Sequence, residues 1–127
     1  MSTIKANTLL HSDGTTTTQP SIPALDQRMA KAWVNFDLSN LNIRSSYNTS
    51  SCTDIATGRF RMNFTNALPS ANHAWVGLAG NFGGTTGSGR DVTLDGAMTT
   101  TTLHARVTYH DNITIGDTYV SVIVFSS

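Results

Sequence analysis

The chain has one cysteine, no glutamate and only two lysines among its 127 residues. The single cysteine, Cys52, excludes an intramolecular disulfide and a metal site made of several thiolates, and we interpret it as a small apolar residue on a strand. Glutamate and lysine are the polar residues that best stabilise solvent-facing helices, so their scarcity predicts little helix. The abundant polar residues are instead threonine, serine and asparagine, with 20, 13 and 10 copies, which suit strands and turns.

Charge of neither sign dominates, because eight basic residues balance eight acidic ones. The arginines are spread along the chain and form no basic stripe in the sequence, so we expect no binding to nucleic acid through its phosphates. Long apolar runs are also absent from the first residues. These residues therefore predict neither a signal peptide nor a membrane anchor, and we expect a protein that is made in a cytoplasm and has no membrane partner.

The segment 119–125 predicts a strand whose two faces are both largely apolar. Successive strand residues point to opposite faces, so a sheet with one solvated face would show polar alternation here. The second face therefore needs cover, either from a second sheet of the same domain or from a neighbouring subunit. We assign Val120, Val122 and Val124 to a subunit interface, because identical chains can bury such a face against each other.

Alternation of apolar and polar residues predicts further strands. The clearest signal is a hairpin whose second strand alternates Phe60, Met62 and Phe64 with polar residues. We therefore predict an all-β fold, with a compact antiparallel β-sandwich-like domain over residues 31–127. The expected strands span 32–36, 43–48, 51–55, 59–65, 73–79, 91–94, 100–110 and 119–125.

Residues 1–30 differ from this pattern and are predicted to form an extended N-terminal arm. Pro20 and Pro23 favour extended geometry in the residues before them, and Pro23 can also begin one short helix that runs to Ala30. The segment is too short and too polar to make its own core, so we expect it to serve in attachment and oligomerisation. The apolar residues expected to carry attachment are Ile4, Leu9, Leu10, Ile22 and Leu25.

The glycine-rich stretch 81–90 is predicted to be a loop between strands. A phosphate-binding loop would end in Gly-Lys-Ser or Gly-Lys-Thr and lead into a helix, and this stretch does neither. Together with the turn over 111–117, it is a candidate contact region for a ligand. Trp75 and Phe82 are alternatives as stacking surfaces, although core packing is favoured for both. The candidate receptor-contact residues are Asn81, Phe82, Thr85, Thr86, Arg90, Asp111 and Asn112.

No pattern in the sequence indicates catalysis. A nucleophile needs a base nearby, and neither a Gly-x-Ser-x-Gly elbow nor a distinctive cysteine motif is present. Asp91 and Asp95 are close in sequence but occupy turn junctions, where aspartate is common. His104 and His110 share one strand face about 20 Å apart, too far to hold one metal ion. We therefore expect no enzyme activity, no cofactor and no metal.

The segments 31–36, 43–51, 53–58 and 60–65 each have a strand or turn pattern, and the chain ends with the apolar strand 119–125. These segments resemble a small β domain found in tail-fibre and other virion proteins of tailed bacteriophages, particularly phages of marine bacteria and cyanobacteria. The opening residues 2–7 and 13–18 are similar to N-termini of the same group. The resemblance implies a virion protein that is commonly trimeric, with its N-terminal part bound to the particle and its C-terminal domain pointing outward.

The resemblance implies a phage virion structural protein, and the patterning agrees with it on one point, that identical chains would bury the last strand and the N-terminal segment against each other. We expect a short homotrimeric tail fibre or knob that attaches to the particle by its arm and contacts the host surface, with a glycan as candidate ligand, by its β domain. Its partners would be its own copies and other proteins of the virion. An alternative is a decoration or cement protein of the capsid or tail that has no ligand of its own. An enzyme that degrades host polysaccharide is the weakest hypothesis.

Overall fold

A computed structural model describes residues 2–8, 10–14, 28–80, 90–109 and 118–126 of the chain. Within these ranges the structure has eight β-strands and no helix, and every strand pair is antiparallel. The predicted all-β fold is therefore confirmed. The strands are β1 (Ala32–Asp37), β2 (Asn42–Tyr47), β3 (Thr49–Ala56), β4 (Arg59–Phe64), β5 (Ala74–Gly80), β6 (Arg90–Leu94), β7 (Thr102–Tyr109) and β8 (Tyr119–Phe125).

All eight strands belong to one sheet in the order β2-β1-β8-β5-β6-β7-β4-β3. The end strands β2 and β3 follow each other in sequence and contact each other, so the sheet curls until it is nearly closed. The result is a compact, sandwich-like arrangement in which the two halves of one sheet face each other across a shared core. The C-terminal strand β8 lies between β1 and β5, in the interior of the sheet.

Asn48 forms the corner where the chain passes from β2 to β3. Its backbone φ is 51°, in the left-handed region that asparagine tolerates better than most residues. Its amide nitrogen donates to the carbonyl oxygens of Lys31 (3.0 Å) and Asn66 (3.2 Å), and its amide oxygen accepts from the Asn66 N–H (2.8 Å). Because Lys31 precedes β1 and Asn66 follows β4, this one side chain links both halves of the sheet.

The core is made by the inward-pointing residues of the curled sheet. Phe36 of β1 and Phe60 of β4 meet edge to face, with their ring centroids 5.0 Å apart. Burial of each such side chain contributes about 1.5–3 kcal/mol to folding. The buried apolar residues are Ala32, Val34, Phe36, Leu38, Cys52, Phe60, Met62, Phe64, Leu68, Leu103, Ala105, Val107, Val120, Val122 and Val124.

The valines of β8 correct one prediction. Val120, Val122 and Val124 are buried in the core of their own chain. Side chains already buried inside one subunit cannot form a surface between subunits, so the predicted subunit interface at these valines is wrong. Their cover is the other half of the same sheet. The residues of β8 on its outward side are Tyr119, Ser121, Ile123 and Phe125.

The N-terminal arm is described in part. Arg28 and Met29 form a turn and a bend and Ala30 has no regular structure, so residues 28–30 are not helical. The other residues of the predicted helix, 23–27, lie outside the described residues. Within the described ranges, no helix has the length and apolarity that a membrane crossing requires.

Candidate interaction surfaces

An apolar row crosses the outer side of four adjacent strands. The strand register places Tyr47, Trp33, Ile123 and Val76 side by side on β2, β1, β8 and β5. Tyr47, Ile123 and Val76 are 36%, 40% and 51% exposed. Leu78, two residues further along β5, is 71% exposed. We refer to Trp33, Tyr47, Val76, Leu78 and Ile123 as the outer apolar face.

This face exists because β5 and β8 are apolar on both sides. In β5, Trp75 and Ala79 pack against the core, whereas Val76 and Leu78 point outward. Neighbouring strands are about 4.8 Å apart, so a row of four side chains spans roughly 14 Å. Contiguous exposed apolar side chains of this kind mark sites of interaction with another molecule.

A groove of about 330 Å³ lies along β1 and β8 within the outer apolar face. Trp33 and Ile123 contribute its apolar sides, and Ala30 lies among its lining residues. Its polar residues Asn35 and Ser121 are joined by a hydrogen bond of 2.7 Å from Asn35 Nδ2 to Ser121 Oγ. No charged residue of the described ranges lines the groove, so its chemistry favours an apolar side chain over an ionic ligand.

Four basic side chains meet on another part of the outer surface, where β4 pairs with β7. Arg59 lies directly opposite Arg106, and Arg61 lies directly opposite His104. Cα atoms of opposite residues in antiparallel strands are about 4.5–5.5 Å apart, and residues two apart along a strand are separated by about 7 Å. These four residues therefore stand at the corners of a small rectangle, which we call the basic cluster.

The arginines of the basic cluster differ in their hydrogen-bond partners. Arg59 Nε donates to Asp95 Oδ2 at 2.5 Å, and Asp95 is held by a backbone hydrogen bond to β7 of 3.1 Å. Arg106 Nε donates to the hydroxyl of Thr93 at 3.3 Å. The buried Nε–H of Arg61 finds no acceptor among the described residues. Within the cluster, the ion pair with Asp95 is made by Arg59.

The basic cluster was not predicted, since the arginines are scattered along the sequence. A local signal exists, because Arg59 and Arg61 alternate with core residues in one strand, and His104 and Arg106 do so in another. Both pairs therefore point to solvent. The sequence of either strand alone does not state that β4 and β7 are neighbours, so the convergence of the two pairs requires the tertiary structure.

Most of the predicted receptor-contact residues lie outside the described ranges. Arg90 is described, and its assignment to a loop is wrong because it is the partly buried first residue of β6, paired with Ala79 and Tyr109. Trp75 is partly buried against the core rather than an open stacking surface. The contact residues outside the described ranges are Asn81, Phe82, Thr85, Thr86, Asp111 and Asn112.

The described apolar residues of the arm are solvent-exposed. Ile4 is 91% exposed and Leu10 is 48% exposed, so both side chains are accessible to another molecule. Near the end of the described arm, the Gly14 N–H donates to the His11 carbonyl at 2.8 Å in a local turn. The other residues predicted to carry attachment, Leu9, Ile22 and Leu25, lie outside the described ranges.

The buried side chains of His73 and Cys52 pack within the fold. His73 Nε2 lies 2.9 Å from the Thr99 carbonyl oxygen, and the His73 ring meets Phe64 edge to face. Burial raises the pKa of the Cys52 thiol to about 12, so Cys52 is a neutral thiol at neutral pH and a poor nucleophile. Within the described part of the chain, no group of three or more potential metal ligands lies together.

No protein-family model, no curated protein and no solved structure matches this chain. The surfaces available for interaction are the outer apolar face, the basic cluster and the exposed residues of the arm.

Proposed function

We propose that the chain is a structural protein of a tailed-phage virion, in which three copies form a short tail fibre or knob. The N-terminal arm attaches the trimer to the particle, and the β domain contacts the host surface. The outer apolar face is the observation that carries the assembly part of this proposal. The virion context comes from the resemblance of the strand and turn segments to phage virion domains.

The composition of the outer apolar face favours contact between protein chains. Tyrosine and tryptophan are enriched, and charged residues depleted, at the centres of protein interfaces. The row from Tyr47 through Trp33 and Ile123 to Val76 contains both aromatic types and no charge. In a cyclic assembly every copy contributes the same surfaces, so a trimer shields three copies of this face at once.

The arm supports attachment by a separate contact. Ile4 and Leu10 are exposed apolar side chains outside the sheet, and each gains about 1.5–3 kcal/mol when fully buried. Another virion protein can supply that cover without disturbing the core of the β domain. Attachment and assembly would therefore use different parts of the chain.

Sedimentation of the full chain tests the assembly. We expect a trimer for the wild type and a folded monomer for Ile123→Asp, because the aspartate would place an unpaired charge in the contact. Ile55→Asp is the matched control, since Ile55 and Ile123 are 43% and 40% exposed but Ile55 is on β3, outside the outer apolar face. A wild type that sediments as a folded monomer at micromolar concentration would overturn the proposed assembly.

Electron microscopy of intact phage particles labelled with an antibody to this chain tests the location. The fibre or knob predicts label at the tail, and removal of residues 1–25 is expected to abolish incorporation into particles. Purified trimer should also bind host envelopes. Particles that carry the truncated chain at wild-type levels would contradict attachment through the arm.

A decoration or cement protein of the capsid or tail is the second candidate. The observation that favours it is the uncharged groove of the outer apolar face, which suits packing against another protein more than ligand recognition. This function predicts label distributed over the capsid or along the tail, together with no binding to host envelopes.

A further inference from the structure

We infer that the basic cluster binds the anionic groups of an acidic polysaccharide. Phosphate, sulfate and carboxylate groups share the chemistry that the cluster would recognise. The inference rests on the proposed function in one respect, since it names the chemical class of the host-surface ligand. Binding of anions to the cluster can nevertheless be tested on the isolated protein.

The basic cluster places like charges opposite each other. Arg59 faces Arg106 across the β4–β7 ladder, and directly opposed like charges destabilise a sheet. Asp95 forms an ion pair with Arg59 through the Nε of the arginine. Asp95 offsets part of the repulsion between the two arginines, and an anion bound above the pair would offset more of it.

The Nε–H of Arg61 lacks a hydrogen-bond acceptor within the described part of the chain. Its backbone is in the middle of the ladder, between Thr53 of β3 and His104 of β7. The buried Nε–H of Arg61 has no acceptor among the described residues, and no carboxylate of the described residues pairs with its guanidinium. A guanidinium presents a planar fork of donors that matches phosphate, sulfate and carboxylate groups, so an external oxyanion would meet the outer end of this partly buried side chain rather than its enclosed Nε–H.

Hydroxyl and amide side chains surround the basic cluster. Thr53 is opposite Arg61 and Thr93 is opposite Arg106, so a hydroxyl group flanks the cluster on each side. Asn63 and Thr102 form the next cross-strand pair along β4 and β7. Hydroxyl and amide groups around a charged centre can exchange hydrogen bonds with sugar hydroxyls.

The size and composition of this surface argue against nucleic acid. Binding to a nucleic acid strand commonly neutralises many phosphates and stacks bases on aromatic side chains. The cluster spans only about 5 by 7 Å, enough for one or two anionic groups. Among β3, β4, β6 and residues 102–108 of β7, no aromatic side chain points outward beside it. The chain as a whole also has no net charge.

Isothermal titration of the full chain tests the inference. The probes are dextran sulfate, polygalacturonate and a phosphate-bearing teichoic acid, with uncharged dextran as the control, and DNA oligonucleotides in single- and double-stranded form. We expect at least one acidic polysaccharide to bind, with an affinity that falls as salt rises, and uncharged dextran not to bind. The probe that binds most tightly identifies the anionic group.

Two variants connect the binding to the basic cluster. Arg61→Gln and Arg106→Gln should each weaken binding by roughly tenfold or more, because each removes a charge-assisted contact. Arg44→Gln is the matched control, since Arg44 is exposed on β2, outside the cluster, and should change affinity by less than about twofold. Arg106 is itself exposed, so its variant keeps the test informative even when Arg61→Gln folds poorly.

Thermal stability separates a binding role from a structural one. Removing one of two opposed arginines should leave the melting temperature of Arg106→Gln equal to or above that of the wild type. A clear fall would show that the arginine stabilises the sheet and would count against the inference. Failure of every acidic polysaccharide to bind, tighter binding to DNA, or equal losses in Arg44→Gln and Arg61→Gln would each overturn it.

The same titration on Ile123→Asp keeps this inference distinct from the proposed assembly. The basic cluster lies on β4 and β7, within one chain and away from the outer apolar face. Its affinity per protomer should therefore persist in a monomer. A wild type that is monomeric but binds the anion would leave the inference standing and refute the assembly. A trimeric wild type that binds no anion would do the reverse.

Discussion

Val122 and Ile123 are consecutive in β8 and lie on opposite sides of the sheet, with Val122 0% exposed and Ile123 40% exposed. An aspartate at 122 would bury an unpaired charge in the core, so we expect Val122→Asp to lose several kcal/mol or to fail to fold. Ile123→Asp should leave the folding free energy of the protomer within about 1 kcal/mol of the wild type. Circular dichroism during urea unfolding measures both, and a stable, folded Val122→Asp protein would contradict the position of β8.

Gly77 in β5 leaves room for Val92 of β6. A Cβ atom at position 77 would lie 2.7 Å from Val92 Cβ and 2.8 Å from Val92 Cγ1, which are branched atoms with little freedom to move. Overpacking of this kind costs about 1–3 kcal/mol, so Gly77→Ala should be destabilised by that amount in urea unfolding.

Gly80→Ala is the matched control in the same strand, since nothing lies within 4 Å of a Cβ built there. It should unfold close to the wild type. Val92→Ala introduced together with Gly77→Ala should recover only part of the loss, because it removes the Cγ1 contact at 2.8 Å and keeps the Cβ contact at 2.7 Å. Equal destabilisation of the Gly77 and Gly80 variants would show that the close approach of Val92 is not the cause.

Asn48 closes the sheet through its side chain and also occupies a left-handed backbone conformation. Asn48→Ala should lower the free energy of unfolding by about 1–3 kcal/mol, because it removes the hydrogen bonds and places an ordinary side chain at positive φ. Asn48→Gly removes the same hydrogen bonds but accepts the backbone conformation, so it should be the less damaging change. The reverse order in chemical denaturation would be inconsistent with this account.

Cys52 is predicted to be unreactive in the folded protein. Burial raises the pKa of its thiol from near 9 to about 12, so a thiol reagent at pH 8 should modify it only after unfolding. A folded pKa above the unfolded value gives a contribution to stability that is fully present below about pH 9 and is lost as the pH rises toward 12. Cys52→Ala should lack this alkaline decline, and the difference between its unfolding profile and that of the wild type isolates the thiol. Rapid modification of native protein would refute the burial.

The strands were predictable because their signals are local. Phe60, Met62 and Phe64 alternate with polar residues, and the same alternation in the seventh strand placed Leu103 and Val107 inward. The boundaries shifted by one or two residues, as in β7, which was expected over 100–110 and spans Thr102–Tyr109. Alternation specifies which side of a strand is apolar, and a strand end depends in addition on the neighbours that supply its hydrogen bonds.

The amino-acid sequence by itself determined that the chain is β-rich and that its last strand needs cover on both sides. Only the tertiary structure decided that its own chain covers one of these sides, where Val122 is enclosed, and leaves the other side, with Ile123, facing outward. It also decided that Arg59 stands opposite Arg106. The physical reason is that a few consecutive residues set the side-chain pattern of a strand. Its partner strands and its register are set only when distant segments of the chain form one sheet.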